Sequence, residues 1–208
     1  MRTFGLRLSI TLVLILALVS GAALAAGRVL RPPEDGRAAL IAWCEMSPCV
    51  MDIVPGETDW TRTQGQLDDL PDRVLLPRQI VVRQDFIALE FYPSVNGESV
   101  GRIFLHFPQN HHFDAGWIVQ RFGEPCGVSI YPASGQITLR YPFLLANVDV
   151  DDNRLRPQSA VSMISLQDPH FRFEVQPDPC IDNITSRQML NSPWKGFSTI
   201  TYYRAHQQ

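Results

Sequence analysis

The sequence predicts an α+β fold: antiparallel sheet with two short helices packed on one face, preceded by an N-terminal transmembrane or signal helix. Three observations point there. Apolar and polar residues alternate with period two in several runs from residue 79 onward, the spacing of half-buried strands. Two stretches with helical spacing carry start and stop signals, one near Asp59 and one between Asp114 and Gly123. The first thirty residues hold one long uncharged run, residues 8–27, between Arg2 and Arg7 on one side and Arg28 and Arg31 on the other.

A bilayer core of about 30 Å needs about twenty apolar residues in a helix, and residues 8–27 meet that length. The same segment ends in small residues, and Ala23-Leu24-Ala25 fits the cleavage pattern of a secretory signal behind a positive n-region. Residues 1–27 are therefore a permanent anchor or a cleaved export signal, and the spanning length favours the anchor. Residues 28–36 form a linker, because Pro32-Pro33 stops a helix and favours extended chain. The rest, residues 37–208, is the extracytoplasmic domain, with candidate subunits 37–110 and 111–208.

Residues 38–44 suit one or two turns of helix before the loop Met46-Ser-Pro-Cys49. Thr58 is placed to cap a helix over residues 59–70 by accepting a backbone N–H, and Pro71 ends it. Strands follow at 79–83, 86–92 and 100–107, with an Asn96-Gly97 turn signal between the last two. On the third, Arg102, Phe104 and His106 fall on one face and Ile103, Leu105 and Phe107 on the other. These make a three-stranded meander. A second helix over 114–122 is closed by Gly123, and strands recur at 127–131, 136–148, 159–166 and 171–175. Pro142 breaks the long one, since proline has no N–H for the ladder. Residues 197–203 are the last strand candidate. The order is helix, meander, helix, meander.

The formal net charge is −3, and without Arg2 and Arg7 the remainder is more negative still. No basic cluster occurs, which argues against nucleic acid. The four cysteines, Cys44, Cys49, Cys126 and Cys180, are an even set of the kind exported domains oxidise. Four cysteines allow three connectivities. Cys44 and Cys49 are near enough to staple one loop, and Cys126 and Cys180 would then tie the second helix end to the segment before the C-terminus.

Candidate chemistry is sparse. His106, His111 and His112 in His-Phe-Pro-Gln-Asn-His-His could offer imidazoles to a metal, with Asp114 the near companion, though solvated loop histidines are the commoner case. Asp149-Val-Asp151-Asp-Asn153 begins like a calcium loop but has Arg154 where Gly is needed and Ala160 where Glu is needed. Ser192-x-x-Lys195 lacks the downstream elements of the enzymes that use that spacing. Cys126 beside His111 or His112 is a nucleophile only if its thiol is free. No cofactor motif is present.

Ile53-x-Pro-Gly-x-Thr58 before one helix and Phe122-Gly-x-Pro125 after the other resemble the helix–sheet repeats of the outer-membrane-assembly lipoprotein BamE and of the β-lactamase inhibitory protein. Pro48 to Thr58 is also similar to a Pro-Cys-x-x-x-Ile-x-Pro-Gly-x-Thr stretch of uncharacterised membrane-anchored bacterial proteins. The resemblance implies helices opened by a Gly-x-Thr turn, antiparallel strands after them, and a binding or scaffold role. The expected function is thus a single-pass, membrane-anchored binding or scaffold protein of the bacterial envelope, non-enzymatic, with an envelope protein as partner. It would be secreted if the signal is cleaved. The alternatives are an envelope enzyme or metal-dependent hydrolase using a His111/His112/Asp114 loop, and a purely structural envelope component.

Overall fold

A computed structural model describes residues 40–45, 47–84, 87–108, 113–131, 134–168, 180 and 190–205. The chain divides into two compact units, Met1–Ile41 and Ala42–Gln208, and the fold described is that of the second. Among the described residues no helix is long and apolar enough to cross a membrane. The predicted anchor at 8–27 and the linker lie outside the described residues, as do His111, His112 and the strand expected at 171–175.

The architecture is mostly β: a nine-stranded antiparallel sheet, a separate two-stranded hairpin and short helices. The antiparallel sheet and short helices match the expected α+β class, with the balance further toward strand. In the hairpin, β1 (Ala42–Cys44) stands where the end of a helix was expected, and β2 (Ser47–Cys49) where a loop was. Its register sets Trp43 opposite Pro48 and Cys44 opposite Ser47, and a Cys44–Cys49 disulfide ties it. Cross-linking two residues this close in sequence outweighs the weak helical preference of the segment.

The Pro-Gly-x-Thr stretch has a purely structural explanation. Gly56 has φ of 88°, its N–H donates to the Val100 carbonyl at 2.7 Å, and a Cβ there would come within 2.6 Å of the Asp168 carboxyl. Thr58 Oγ1 accepts the Val54 N–H at 2.8 Å and so closes the turn. That employment removes Thr58 as the helix cap. Asp59 takes over, its Oδ1 accepting the Arg62 N–H at 2.7 Å, and α1 runs Trp60–Leu67.

Four strands follow, not three: β3 (Arg73–Leu76), β4 (Gln79–Gln84), β5 (Ile87–Pro93) and β6 (Val100–His106). β3 escapes prediction because its four residues, set between Pro71 and Pro77, are too few to display a period. The Asn96-Gly97 turn is present, with Gly97 at φ 75° and its N–H donating to Ser94 O. Next comes α2 (Ala115–Phe122), capped by Asp114 Oδ1 on the Trp117 N–H at 2.7 Å and closed by Gly123 at φ 81°.

β7 (Gly127–Tyr131), β8 (Gln136–Arg140), β9 (Leu144–Asp149) and β10 (Val161–Gln167) complete the second run. The chain breaks around Pro142 as expected, and Tyr141 N–H donates to Leu144 O across the turn. The acidic run after Asp149 folds as a 3-10 turn at Asp151–Asn153.

β11 (Leu190–Pro193) and α3 (Ile200–Ala205) end the described chain. The strand expected at 197–203 is therefore corrected to a helix over most of its length. Thr199 Oγ1 accepts the Tyr202 N–H at 3.1 Å, and the two residues that need burial, Ile200 and Tyr203, are three apart, which suits one helical face.

The sheet order is β11-β7-β8-β9-β10-β6-β5-β4-β3, so the last strands of the two runs, β6 and β10, meet in the middle. The two helix starts are held alike. Val100 N–H donates to Thr58 O at 2.9 Å and Trp60 N–H to Glu98 O at 2.9 Å; the matching pairs are Val161 to Phe113 O at 2.8 Å and Ala115 to Ser159 O at 2.9 Å. One face of the sheet is buried from β7 across to β4, with Ile80, Leu89, Phe91, Ile103, Leu105, Ile164, Leu166, Leu144, Leu139 and Ile130 inaccessible to solvent. Leu67 of α1 and Ile118 of α2 are buried as completely.

Candidate functional site

Side chains alternate across a strand, so the partners of those core residues point to the opposite face. On β5 and β6 the register pairs Glu90 with Phe104 and Tyr92 with Arg102, and places His106 opposite Ala88. Residues that face one another across a ladder share a face. Glu90, Tyr92, Arg102, Phe104 and His106 therefore form one cluster, half-exposed, on the face away from the core.

The cluster is internally ordered. Tyr92 Oη donates to Glu90 Oε2 at 2.9 Å, and His106 Nε2 lies 3.6 Å from the same oxygen. The Phe104 ring meets Tyr92 edge-on at 5.5 Å and stacks with His106 at 6.1 Å. The Arg102 guanidinium sits 5.4 Å from the Phe104 centroid, in cation–π range. Burial lowers the Arg102 pKa. Tyr92 is pushed up to about 12, first by burial and then by its hydrogen bond and proximity to the Glu90 carboxylate.

Because its folded value lies above the ordinary one of about 10, the neutral phenol's contribution to stability is complete below pH ~10. It is lost as the pH rises through the folded value. Ultraviolet titration of the full chain against Tyr92→Phe checks this: one phenol ionising near pH 12 disappears, and the variant's stability varies less between about pH 10 and 12. A wild-type Tyr92 ionising near 10 contradicts the arrangement.

Beside the cluster lies an open cleft of about 780 Å³, lined by Trp60, Arg78, Tyr92, Arg102 and Phe104 with the β5–β6 hairpin around Asn96. It offers three aromatic surfaces and two guanidinium groups. The other half of this face, on β7 to β10, differs in kind. Thr138 donates to Asn147 Oδ1 at 2.7 Å and Ser129 to Asn191 Oδ1 at 2.6 Å, and Ser129, Thr138, Arg140 and Ser165 are buried. Its Ser129–Asn191 and Thr138–Asn147 pairs are turned on one another, whereas the β5–β6 half presents aromatic and charged groups outward.

The residues singled out in the sequence are scattered. All four cysteines are consumed in the Cys44–Cys49 and Cys126–Cys180 disulfides, so Cys126 is not a free nucleophile. Asp114 Oδ1 is engaged as the α2 cap. Ser192 is buried in β11, its hydroxyl donating to Pro193 O. Among the described residues, Cys44, Cys49 and Asp52 are the one group with metal-ligand spacing, and oxidation removes the two thiolates it needs.

His106 alone of the named histidines is described, and its neighbours are Glu90 and Phe104. Glu90 and Tyr92 were missed by sequence reasoning. Closing the hairpin at Asn96-Gly97 in the right register was the signal that could have found them. No protein-family model, curated protein or solved structure matches the chain.

Proposed function

We propose that this chain is a membrane-anchored, extracytoplasmic binding protein of the bacterial envelope, and that it engages another envelope protein with the β5–β6 half of its open sheet face. The observation that carries the reading is the half-exposed Glu90, Tyr92, Arg102, Phe104 and His106 cluster on paired strands. Tyr and Arg are enriched where interface energy concentrates, and side chains already held by one another lose little freedom on binding. The compartment is supported by the two disulfides, which suggest an oxidising location. The anchor rests on the length of the uncharged run at 8–27.

A plan of two tandem helix–meander units, with helices covering the buried face, is supported by the matched hydrogen bonds at both helix starts and by complete burial of Leu67 and Ile118. The resemblance to helix–sheet repeats with binding or scaffold roles draws support from the same pattern. Of the enzyme alternatives, the His111/His112/Asp114 loop has Asp114 Oδ1 engaged as a helix cap, and the separate Cys126 nucleophile is oxidised.

In-cell crosslinking of the full-length protein followed by mass spectrometry tests the reading. One reproducible envelope partner is expected. The double variant Tyr92→Ala/Phe104→Ala should capture it about 30-fold less well, the equivalent of one strong interface residue of ~2 kcal/mol. Undiminished capture by a folded double variant rejects this face as the contact.

A further inference from the structure

The cleft beside the β5–β6 cluster is assembled by segments distant in sequence. Tyr92 and Arg102 face each other across β5 and β6, and Phe104 follows on the same face. Arg78 enters from the turn between β3 and β4, at the start of the strand that pairs with β5. Trp60, the first residue of α1, is brought to the hairpin by its N–H, which donates to Glu98 O at 2.9 Å.

The lining has a definite sign of charge. It carries the Arg78 and Arg102 guanidiniums and, among the described residues, no carboxylate, although the chain as a whole has net charge −3. The two carboxylates of the β5–β6 hairpin lie outside the lining and already accept hydrogen bonds, Glu90 from Tyr92 at 2.9 Å and Glu98 from Asn96 at 2.6 Å. Arg78 is exposed and, among the described residues, makes no ion pair. Burial disfavours the Arg102 charge, so an anion arriving beside it relieves a cost that the fold already carries.

We infer that this cleft takes an acidic segment of the partner protein, one in which a carboxylate stands next to an aromatic ring. This rests on the reading that the β5–β6 face binds an envelope protein, and adds the chemistry of what it binds. The carboxylate pairs with the two guanidiniums, whose N–H groups match its oxygens in planar geometry. The ring packs against Trp60, Tyr92 and Phe104 in the edge-on or offset contacts that aromatic pairs favour. Each half of the lining needs its own half of the ligand. A bare anion would leave three aromatic surfaces uncovered, and a neutral apolar segment would cover two cations without supplying a counter-charge. A volume of about 780 Å³ leaves room for both halves together.

In-cell crosslinking of the full-length protein separates this inference from the reading it rests on. Arg78→Glu should lower partner capture about tenfold, and Arg83→Glu, the same charge change at the exposed far end of β4, should leave it unchanged. Capture lost with Tyr92→Ala/Phe104→Ala but not with Arg78→Glu retains the binding face and overturns the acidic segment. Equal loss with Arg78→Glu and Arg83→Glu overturns it too, because net charge alone would then be at work. Full capture by both the double variant and Arg78→Glu rejects face and segment together. The chemistry is read on purified full-length protein in detergent, with an array of short synthetic peptides presenting every pair of residue types at adjacent central positions. Pairs of Asp or Glu with Phe, Tyr or Trp should bind most strongly, and Arg78→Glu should remove their advantage over the matching Asn or Gln pairs. A preference for neutral or basic pairs contradicts the inference. So do acidic pairs that bind as well without a ring and are displaced by inorganic phosphate, which would mark a bare anion site.

Discussion

Replacing Cys126 and Cys180 with serine lowers the stability of the full-length protein by about 4 kcal/mol. The bond closes a loop with a sequence separation of 54, and the chain-entropy relation assigns ~4 kcal/mol to a loop of that length. The position adds a local consequence. Cys126 immediately precedes β7, and β11, the strand that follows Cys180, pairs with β7 at the edge of the sheet. Without the tie, β11 keeps four register pairs and the Ser129–Asn191 hydrogen bond, and α3 keeps the Leu155 N–H to Ser198 O link. These are edge contacts, so β11 and α3 should open before the central strands. The Cys44–Cys49 bond closes a separation of 5, for which the same relation gives only about 2 kcal/mol. Urea unfolding of the two double-serine variants checks the order, and equal losses contradict it.

Adjacent residues on β6 should behave oppositely. Leu105 is inaccessible to solvent and lies opposite Leu89 on one side and Ile164 on the other, on the strand where the two meanders meet. Leu105→Ala removes buried methyl groups from a site that cannot collapse around the loss, at a cost on the order of 3 kcal/mol. For a chain of this size that is roughly a 10 °C drop in Tm. Phe104, one residue earlier, faces out and contacts Tyr92 and His106. Phe104→Ala should cost about 1 kcal/mol in stability and most of the partner capture. Thermal unfolding and capture measured on both variants separate the faces. A Phe104→Ala variant as destabilised as Leu105→Ala would mean that its face belongs to the core.

The parts of the fold readable in the sequence are those where one residue decides the local geometry. Pro142 breaks the strand pair, Gly97 and Gly123 take positive φ, and Asp114 precedes the second helix. What escaped depended on groups distant in sequence or on very short segments. Thr58 could not be known to serve the Pro-Gly turn until Val54 was placed beside it, so the cap moved to Asp59. The Cys44–Cys49 staple was legible from its short spacing, but not that it would hold Ala42–Cys44 as a strand instead of the end of a helix, since three residues display no period. Ile200-Thr-Tyr-Tyr has strand-like propensity, yet burial of Ile200 and Tyr203 together requires helical spacing. The candidate site was half visible. Alternation placed Arg102, Phe104 and His106 on one face, but Glu90 and Tyr92 join them only through cross-strand register.

The most direct measurement is in-cell photo-crosslinking of the full-length protein with a photoreactive residue at position 104, against controls at Leu139 on the buried face and Asp152 in the exposed 3-10 turn. A single envelope protein joined at 104 and absent from both controls is the predicted result. No adduct at 104, or the same adducts at all three positions, would contradict a binding role for the open face.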